Sequence, residues 1–247
     1  MRICAIGDPH GDLRKIKKTP TKNIDLILLT GDLGSANLMR KMAFKNIERE
    51  KKGLPELKYS PKLRKRAFME AYNSSMRIIN YLAIKKKIPC FVIYGNVESS
   101  NVETKKISKE IKLKLPFLTD SLNKIKNVRV INNKLIMFRN IKIGGLEYFT
   151  DISWVKEFKP RQFKKAHKKA SSQTKIKNKI LKKFGKIDIF LCHQPPFGFL
   201  DKVNNPAAPK HWAGKRAGSK IILDYIKNIN QSMFFAGIST RDMGIKK

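Results

Sequence analysis

Residues 2–11 read RICAIGDPHG, a short apolar run that ends at a glycine and is followed by an aspartate and a histidine two residues apart. An apolar run of this length, bounded by turn-forming residues, predicts a buried β-strand. The same arrangement recurs as DLILLTGD at residues 25–32 and as PCFVIYGN at residues 89–96. Because helical patterns separate such runs, they predict parallel strands that are covered on both faces.

The other elements follow from similar patterns. Three closely spaced apolar runs with short connections predict a β-meander over residues 128–131, 134–138 and 141–143. Helices are predicted over residues 35–84, 151–183 and 218–230, and strands over residues 187–192 and 232–235. No repeat or linker rich in Gly, Ser or Pro interrupts the chain. The sequence therefore predicts one α/β domain over residues 1–247, with helical insertions at about 35–86 and 151–184.

Four of the predicted strands end in side chains that can bind a metal. Asp8 and His10 follow the first strand, Asp32 follows the second, Asn96 the third and His193 the fourth. The carboxyl ends of parallel strands meet at one edge of a sheet, so we expect these side chains to converge. Carboxylate, amide and imidazole groups suit Mn²⁺, Fe²⁺ or Zn²⁺. A shared carboxylate can bridge two ions roughly 3.5–4 Å apart, the spacing used for phosphoryl displacement.

This ordered set of motifs resembles the calcineurin-like metallophosphoesterase superfamily. The sequences GGLE at 144–147, DISW at 151–154 and HQPP at 193–196 are most similar to a branch that is common in archaea. The resemblance implies a four-layer α/β/β/α sandwich. It also implies hydrolysis of a phosphomonoester or phosphodiester at two divalent ions (Mn, Fe, Zn or Ni), which activate water and hold the phosphate oxygens.

The resemblance also implies roles for individual residues. Asp8 and His10 would bind the first ion, Asp32 would bridge the two, and Asn96 and His193 would bind the second. Asp32 and Asn96 are therefore the catalytic candidates. Three further roles are implied for Glu98, which would orient His10, and for Lys215 and Arg216, which lie in a loop that could meet a substrate phosphate or could simply be solvated.

The sequence departs from the family pattern in two places. Residues 237–240 read GIST, so Ile238 and Thr240 stand where the family has two further metal-binding histidines. The chain then ends at Lys247, which predicts that the last strands of the second sheet are missing. Val97 occupies the position where many members have a histidine that acts as general acid. Three explanations stay open: a relative that no longer turns over, a truncated or frame-shifted product, or an enzyme with a looser metal site.

The charge balance is strongly basic. Lys and Arg number 54 against 19 Asp and Glu, which gives a net charge of +35. Such a charge attracts polyanions, including RNA, DNA and anionic membrane surfaces. The lysines are dispersed, however, and AT-rich codon usage or a salt-adapted cytoplasm would produce the same composition. The alternative function is therefore a non-catalytic relative that binds RNA or another polyanion.

Three cysteines in apolar runs indicate a reduced, cytoplasmic protein without disulfides. No apolar run is long enough to cross a bilayer, and the chain begins directly with a strand instead of a signal peptide, so no membrane insertion is expected. The sequence does not decide the substrate, the native metal or the oligomeric state.

Overall fold

The computed structural model describes residues 1–204, 208–228 and 233–236. The chain divides into two compact units, Met1–Val130 and Ile131–Lys247. Within these described ranges, each unit has one four-stranded sheet with helices. The predicted α/β class, with two sheets and helical insertions, is confirmed.

The sheet of the first unit contains four parallel strands in the order β1-β2-β3-β4. They are β1 (Ile3–Ile6), β2 (Leu26–Leu29), β3 (Cys90–Val92) and β4 (Val128–Val130). All four residues of β2 are fully buried, as expected for a central strand covered on both faces. The register places the ends of β1, β2 and β3 level with one another, since Ile6 pairs with Leu29 and Leu29 with Val92.

Five helices follow the strands of this unit: α1 (Leu13–Lys18), α2 (Asn37–Lys51), α3 (Pro61–Ile79), α4 (Asn101–Ile111) and α5 (Leu118–Asn123). The side chain of Ser60 caps the start of α3, and Pro61 occupies its first position, where a missing N–H costs nothing. A π-helical turn, Asn80–Lys85, extends α3. Fully buried Ile78 and Ile79 fix this helix in the core of the first unit.

The predicted β-meander is wrong for its first strand. Val128–Val130 does not form a hairpin with its neighbour in sequence but pairs in parallel with β3. The side chain of Asn127 donates hydrogen bonds to the carbonyl oxygens of Ala83 and Ile88, at 2.7 and 3.1 Å. These bonds attach the start of β4 to the first unit, where Val128 and Val130 enter its core.

The sheet of the second unit contains β5 (Lys134–Phe138), β6 (Ile141–Leu146), β7 (Ile189–Cys192) and β8 (Met233–Ala236), in that order. β5 and β6 form the predicted antiparallel hairpin. Its two turn residues, Arg139 and Asn140, have φ angles of 45° and 65°, and positive values at both positions match the twist of a two-residue hairpin. β6, β7 and β8 are parallel.

The described part of this unit also contains the α-helices α6 (Ile152–Phe158), α7 (Phe163–Phe184) and α8 (Lys220–Asn228), and a short 3₁₀ helix, Lys210–Trp212. One face of α7 is buried at Ala170, Thr174, Lys177, Leu181 and Phe184, and most of its other lysines are exposed. The buried Lys177 has an acidic partner. Its Nζ atom donates hydrogen bonds to Oε1 of Glu147 at 2.8 Å and to Oδ1 of Asn133 at 2.9 Å. Most of the charged side chains of α7 therefore lie on a solvated face of the helix.

Cys4, Cys90 and Cys192 are free thiols. Burial raises the pKa of Cys90 to about 12 and places that of Cys192 well above its usual value, so both remain protonated and pack as small apolar groups. None of the described helices is both long and apolar enough to span a bilayer.

Candidate active site

Three predicted metal ligands of the first unit share an uncommon backbone conformation. Asp8, His10 and Asp32 have φ angles of 41°, 45° and 47°. Asp and His adopt this left-handed region more readily than most residues, but each does so at a cost of about 1–2 kcal/mol. The backbone N–H of His10 donates to the carbonyl oxygen of Asp32 at 2.9 Å, which joins the loop after β1 to the loop after β2. Strain of this kind is concentrated at functional sites.

The side chains of Asp8, His10 and Asp32 lie close together. Asp8 and Asp32 are buried, and a carboxylate oxygen of Asp8 lies within 4.8 Å of a carboxylate oxygen of Asp32. The Nδ1 atom of His10 lies 3.8 Å from Oδ2 of Asp32. Two atoms that each lie ~2.1 Å from one ion can be at most ~4.2 Å apart, so the His10–Asp32 pair satisfies this limit. The donor set of two carboxylates and an imidazole fits a divalent metal.

Glu98 holds the loop that carries Asp32. Its carboxylate accepts hydrogen bonds from the backbone N–H groups of Asp32 (2.9 Å), Leu33 (2.8 Å), Gly34 (3.3 Å) and Gly95 (3.0 Å). The side chain is 8% exposed, so these bonds form out of contact with most of the solvent. Glu98 therefore positions Asp32 through its backbone. The orientation of His10 by Glu98 stays a prediction.

The loop after β3 also contacts Asp32. The backbone N–H of Val97 donates to Oδ1 of Asp32 at 3.0 Å, and this bond restricts the orientation of the carboxylate. Asn96 is exposed and lies between the donors Gly95 and Val97. It is therefore placed next to residues that hold Asp32, while its role as a metal ligand stays a prediction.

Sequence reasoning did not single out Arg40, which lies on α2. Its Nη2 atom is 3.0 Å from Nδ1 and 3.1 Å from Nε2 of His10, and 3.5 Å from Oδ2 of Asp32. The start of α2 is fixed by Glu70 of α3, whose carboxylate accepts from the Ser35 hydroxyl at 2.7 Å and from the Leu38 N–H at 3.1 Å. As one of 54 basic residues, Arg40 carried no distinguishing pattern in the sequence.

His193 follows β7 in the second unit, as predicted, and is 7% exposed. The ring of Tyr148 meets the imidazole edge-to-face, with centroids 5.8 Å apart. The chain after His193 is fixed by Ser219, whose N–H donates to the Pro195 carbonyl and whose carbonyl accepts from the Phe197 N–H, both at 3.0 Å. This histidine therefore stands on a well-supported turn.

The buried carboxylate of Asp151 holds Ser219, the residue that fixes this turn. Asp151 is fully buried and accepts hydrogen bonds from the N–H and hydroxyl of Ser153, both at 2.8 Å, and from the Ser219 hydroxyl. Gly218 has no space for a side chain, because an added Cβ would lie 2.7 Å from the Pro196 carbonyl oxygen.

Lys215 and Arg216, which the sequence predicts could bind a substrate phosphate, lie in the second unit. An Nη1 atom of Arg216 lies 2.7 Å from Oδ1 of Asp201, so this guanidinium already has an acidic partner. The Nζ atom of Lys215 lies 5.6 Å from the ring centre of Phe158. Substrate binding by either residue stays a prediction. Ile238 and Thr240, which stand where two histidines are expected, lie outside the described residues.

Comparison with known proteins agrees with this geometry. The family model described as calcineurin-like phosphoesterase matches residues 1–228. No curated protein matches the chain. One solved crystal structure is similar with a TM-score of 0.52 and 16% sequence identity, over 95% of this chain and 82% of that chain, which is a likeness of fold alone. The match to the family model covers most of the chain, and the chain therefore belongs to the calcineurin-like phosphoesterase family.

Proposed function

We propose that this protein is a metal-dependent hydrolase of phosphomonoesters or phosphodiesters. The observation that carries the proposal is the cluster of Asp8, His10 and Asp32, three metal-binding side chains on strained backbone that converge at the ends of two neighbouring strands. The family motifs predict Asn96 and His193 as two further ligands. Two bound divalent ions would supply a water of lowered pKa and charge stabilisation at the phosphate.

The protein's own groups prepare this site. Val97 donates a hydrogen bond to the carboxylate of Asp32, and Glu98 accepts one from its backbone N–H, so Asp32 would be held in place to bind a metal. Hydrogen bonds of this kind, made by groups that surround a ligand, typically affect metal affinity or activity by 10–100-fold.

Arg40 is the group best placed to bind the substrate phosphate. A guanidinium donates two parallel hydrogen bonds to phosphate oxygens and keeps its charge at any physiological pH. Its side chain is 28% exposed and long enough to turn from the ligand side chains towards a bound phosphate. In this proposal the carboxylate of Asp32 is neutralised by Arg40 in the absence of metal and by metal in the loaded enzyme.

Replacement of Arg40 by alanine is expected to lower kcat/KM for p-nitrophenyl phosphate by about 10–100-fold, because one charge-assisted contact with the phosphate is lost. Metal content should stay the same or rise, since a competing cation has been removed. Arg66→Ala, at an exposed position of α3, is the matched control and should leave both quantities unchanged. A fall in metal content with Arg40→Ala would contradict this role.

Metal loading and hydrolysis test the proposed function directly. Protein saturated with Mn²⁺ and then desalted is expected to retain about two ions per chain by elemental analysis and to hydrolyse p-nitrophenyl phosphate or bis(p-nitrophenyl) phosphate. Protein that retains no metal and hydrolyses neither ester would refute the proposal. Restoring the expected histidines by Ile238→His with Thr240→His should then raise metal retention if their absence is the cause.

The non-catalytic, polyanion-binding alternative makes a different prediction. Its RNA binding would weaken steeply with salt and would be unaffected by Asp32→Asn. Binding of RNA and a cytoplasmic location stay predictions of the sequence.

A further inference from the structure

Two adjacent apolar side chains of the second unit are exposed to solvent in the loop that follows β7. Phe199 is 61% exposed and Leu200 is 66% exposed, and together they are called the apolar tip. Leu200 also has a φ angle of 50°, a left-handed conformation that leucine seldom adopts because its Cβ crowds the next carbonyl oxygen. Exposed apolar groups on strained backbone do not stabilise the fold, so this pair points to a surface that covers it.

Hydrogen bonds hold the loop in the conformation that exposes the tip. The side chain of Asp201 is 1% exposed, and its Oδ1 atom lies 2.7 Å from Nη1 of Arg216. Its Oδ2 atom accepts from the backbone N–H of Gly198 at 2.9 Å. The backbone N–H of Phe199 donates to the carbonyl oxygen of Pro196 at 3.2 Å, which closes a turn just before the tip. The exposure of the tip is therefore built into the loop.

Cationic side chains surround the base of this loop. Lys202 is exposed, and its backbone forms an antiparallel β-bridge with Arg216. The Cζ atom of Arg216 lies 5.5 Å from the ring centre of Phe197, and the Nζ atom of Lys220 lies 5.0 Å from it. Lys202, Arg216 and Lys220 are called the basic rim.

Three acidic residues belong to the same region. Asp201 is buried against Arg216, and Asp224 is exposed one helical turn after Lys220. Glu157 is exposed and accepts from the backbone N–H of Arg216 at 3.5 Å. In the described part of the chain, these acids leave the ammonium groups of Lys202 and Lys220 without an ion pair. The rim therefore offers positive charge beside the apolar tip.

We propose that the apolar tip and the basic rim dock on an anionic lipid surface, with Phe199 and Leu200 inserted at the boundary between headgroups and acyl chains. Apolar insertion and basic charge are each weak alone, and their combination gives reversible attachment. The net charge of +35 adds long-range attraction to the same surface. Leu200 favours lipid over nucleic acid, because a leucine has no π face on which a base can stack.

Flotation with lipid vesicles tests this docking. The unmodified protein is expected to bind vesicles of phosphatidylcholine with about 30 mol% phosphatidylglycerol, and to bind pure phosphatidylcholine weakly. Phe199→Ser combined with Leu200→Asn should lower the partition coefficient on the anionic vesicles about 10–100-fold, because the inserted apolar area is lost. This double variant keeps the net charge, and asparagine tolerates the left-handed backbone, so the fold should survive.

Val102→Ser is the matched control, because it removes an apolar side chain that is 77% exposed on α4 of the first unit. It should bind the anionic vesicles as the unmodified protein does. Equal partition of the double variant and the unmodified protein would overturn the proposal, since dispersed lysines would then account for all of the binding. Failure of the unmodified protein to bind the anionic vesicles would overturn it as well.

A second variant reports insertion directly and does not depend on the folding of the first. Phe199→Trp adds a tryptophan to Trp154 and Trp212, and brominated phosphatidylcholine in the anionic vesicles should quench the added fluorescence. An added signal that is not quenched would overturn the proposal. Oligouridylate binding that is weakened by the double variant, with vesicle binding unchanged, would assign the tip to nucleic acid and would also overturn it.

Discussion

Asp32→Asn is expected to lower kcat/KM for phosphate-ester hydrolysis by at least about a hundredfold. Asparagine keeps the shape of the side chain and tolerates the left-handed backbone at this position, so the fold should survive. The negative charge that two ions would share is lost, and an amide is a poor bridging ligand. Steady-state kinetics with bis(p-nitrophenyl) phosphate, together with metal content, would measure the effect.

Asp224→Asn is the matched control, because Asp224 is exposed on α8. It should retain the full rate and the full metal content. An Asp32→Asn protein that hydrolyses the diester at the unmodified rate would exclude Asp32 from the chemistry and would leave the proposed function without its central ligand.

Glu98→Ala is expected to reduce the free energy of unfolding by about 3–5 kcal/mol, measured by urea denaturation in the presence of a chelator. Four backbone N–H groups lose their acceptor, and they belong to the loops after β2 and β3. A buried donor without a partner costs more than the bond itself contributed. Activity should fall as well, since the loop that presents Asp32 is released.

Glu103→Ala provides the comparison for this effect. The Glu103 carboxylate also accepts a backbone N–H, from Ser100 at 2.9 Å, but at the exposed start of α4. Loss of this capping bond should cost about 1 kcal/mol. Equal losses for Glu98→Ala and Glu103→Ala would show that burial adds nothing to the Glu98 interactions.

The sequence predicted the parts of the fold that depend on local pattern. The four residues of β2 are all apolar and are followed closely by Gly31 and Asp32, so both the strand and the candidate ligand after it could be placed. The same reasoning placed Asp8, His10 and His193 at strand ends. The proximity of Asp8, His10 and Asp32 within the first unit agrees with a general property of parallel sheets, whose strand ends meet at one edge.

Other features depend on tertiary packing and left no local pattern. Val128–Val130 has three residues, and its choice of β3 as partner is made by contacts with residues far away in sequence. Arg40 contacts His10 from a helix whose start is held by Glu70, a residue 30 positions further along the chain. An apolar cavity in the first unit is formed by residues from four helices and the loop after β3, and such a volume has no sequence period.

The left-handed backbone at Asp8, His10 and Asp32 has an evolutionary consequence. Glycine adopts φ angles of 41° to 47° without steric cost, so glycine at Asp8 or His10 would relieve backbone strain while removing a predicted ligand, whereas glycine at Asp32 would also leave the Val97 N–H without its acceptor. Selection for thermal stability alone would therefore erode this cluster first. Persistence of Asp8 and His10 in a lineage would require selection for the chemistry, and a library sorted only for folding would be expected to accumulate glycine at these two positions.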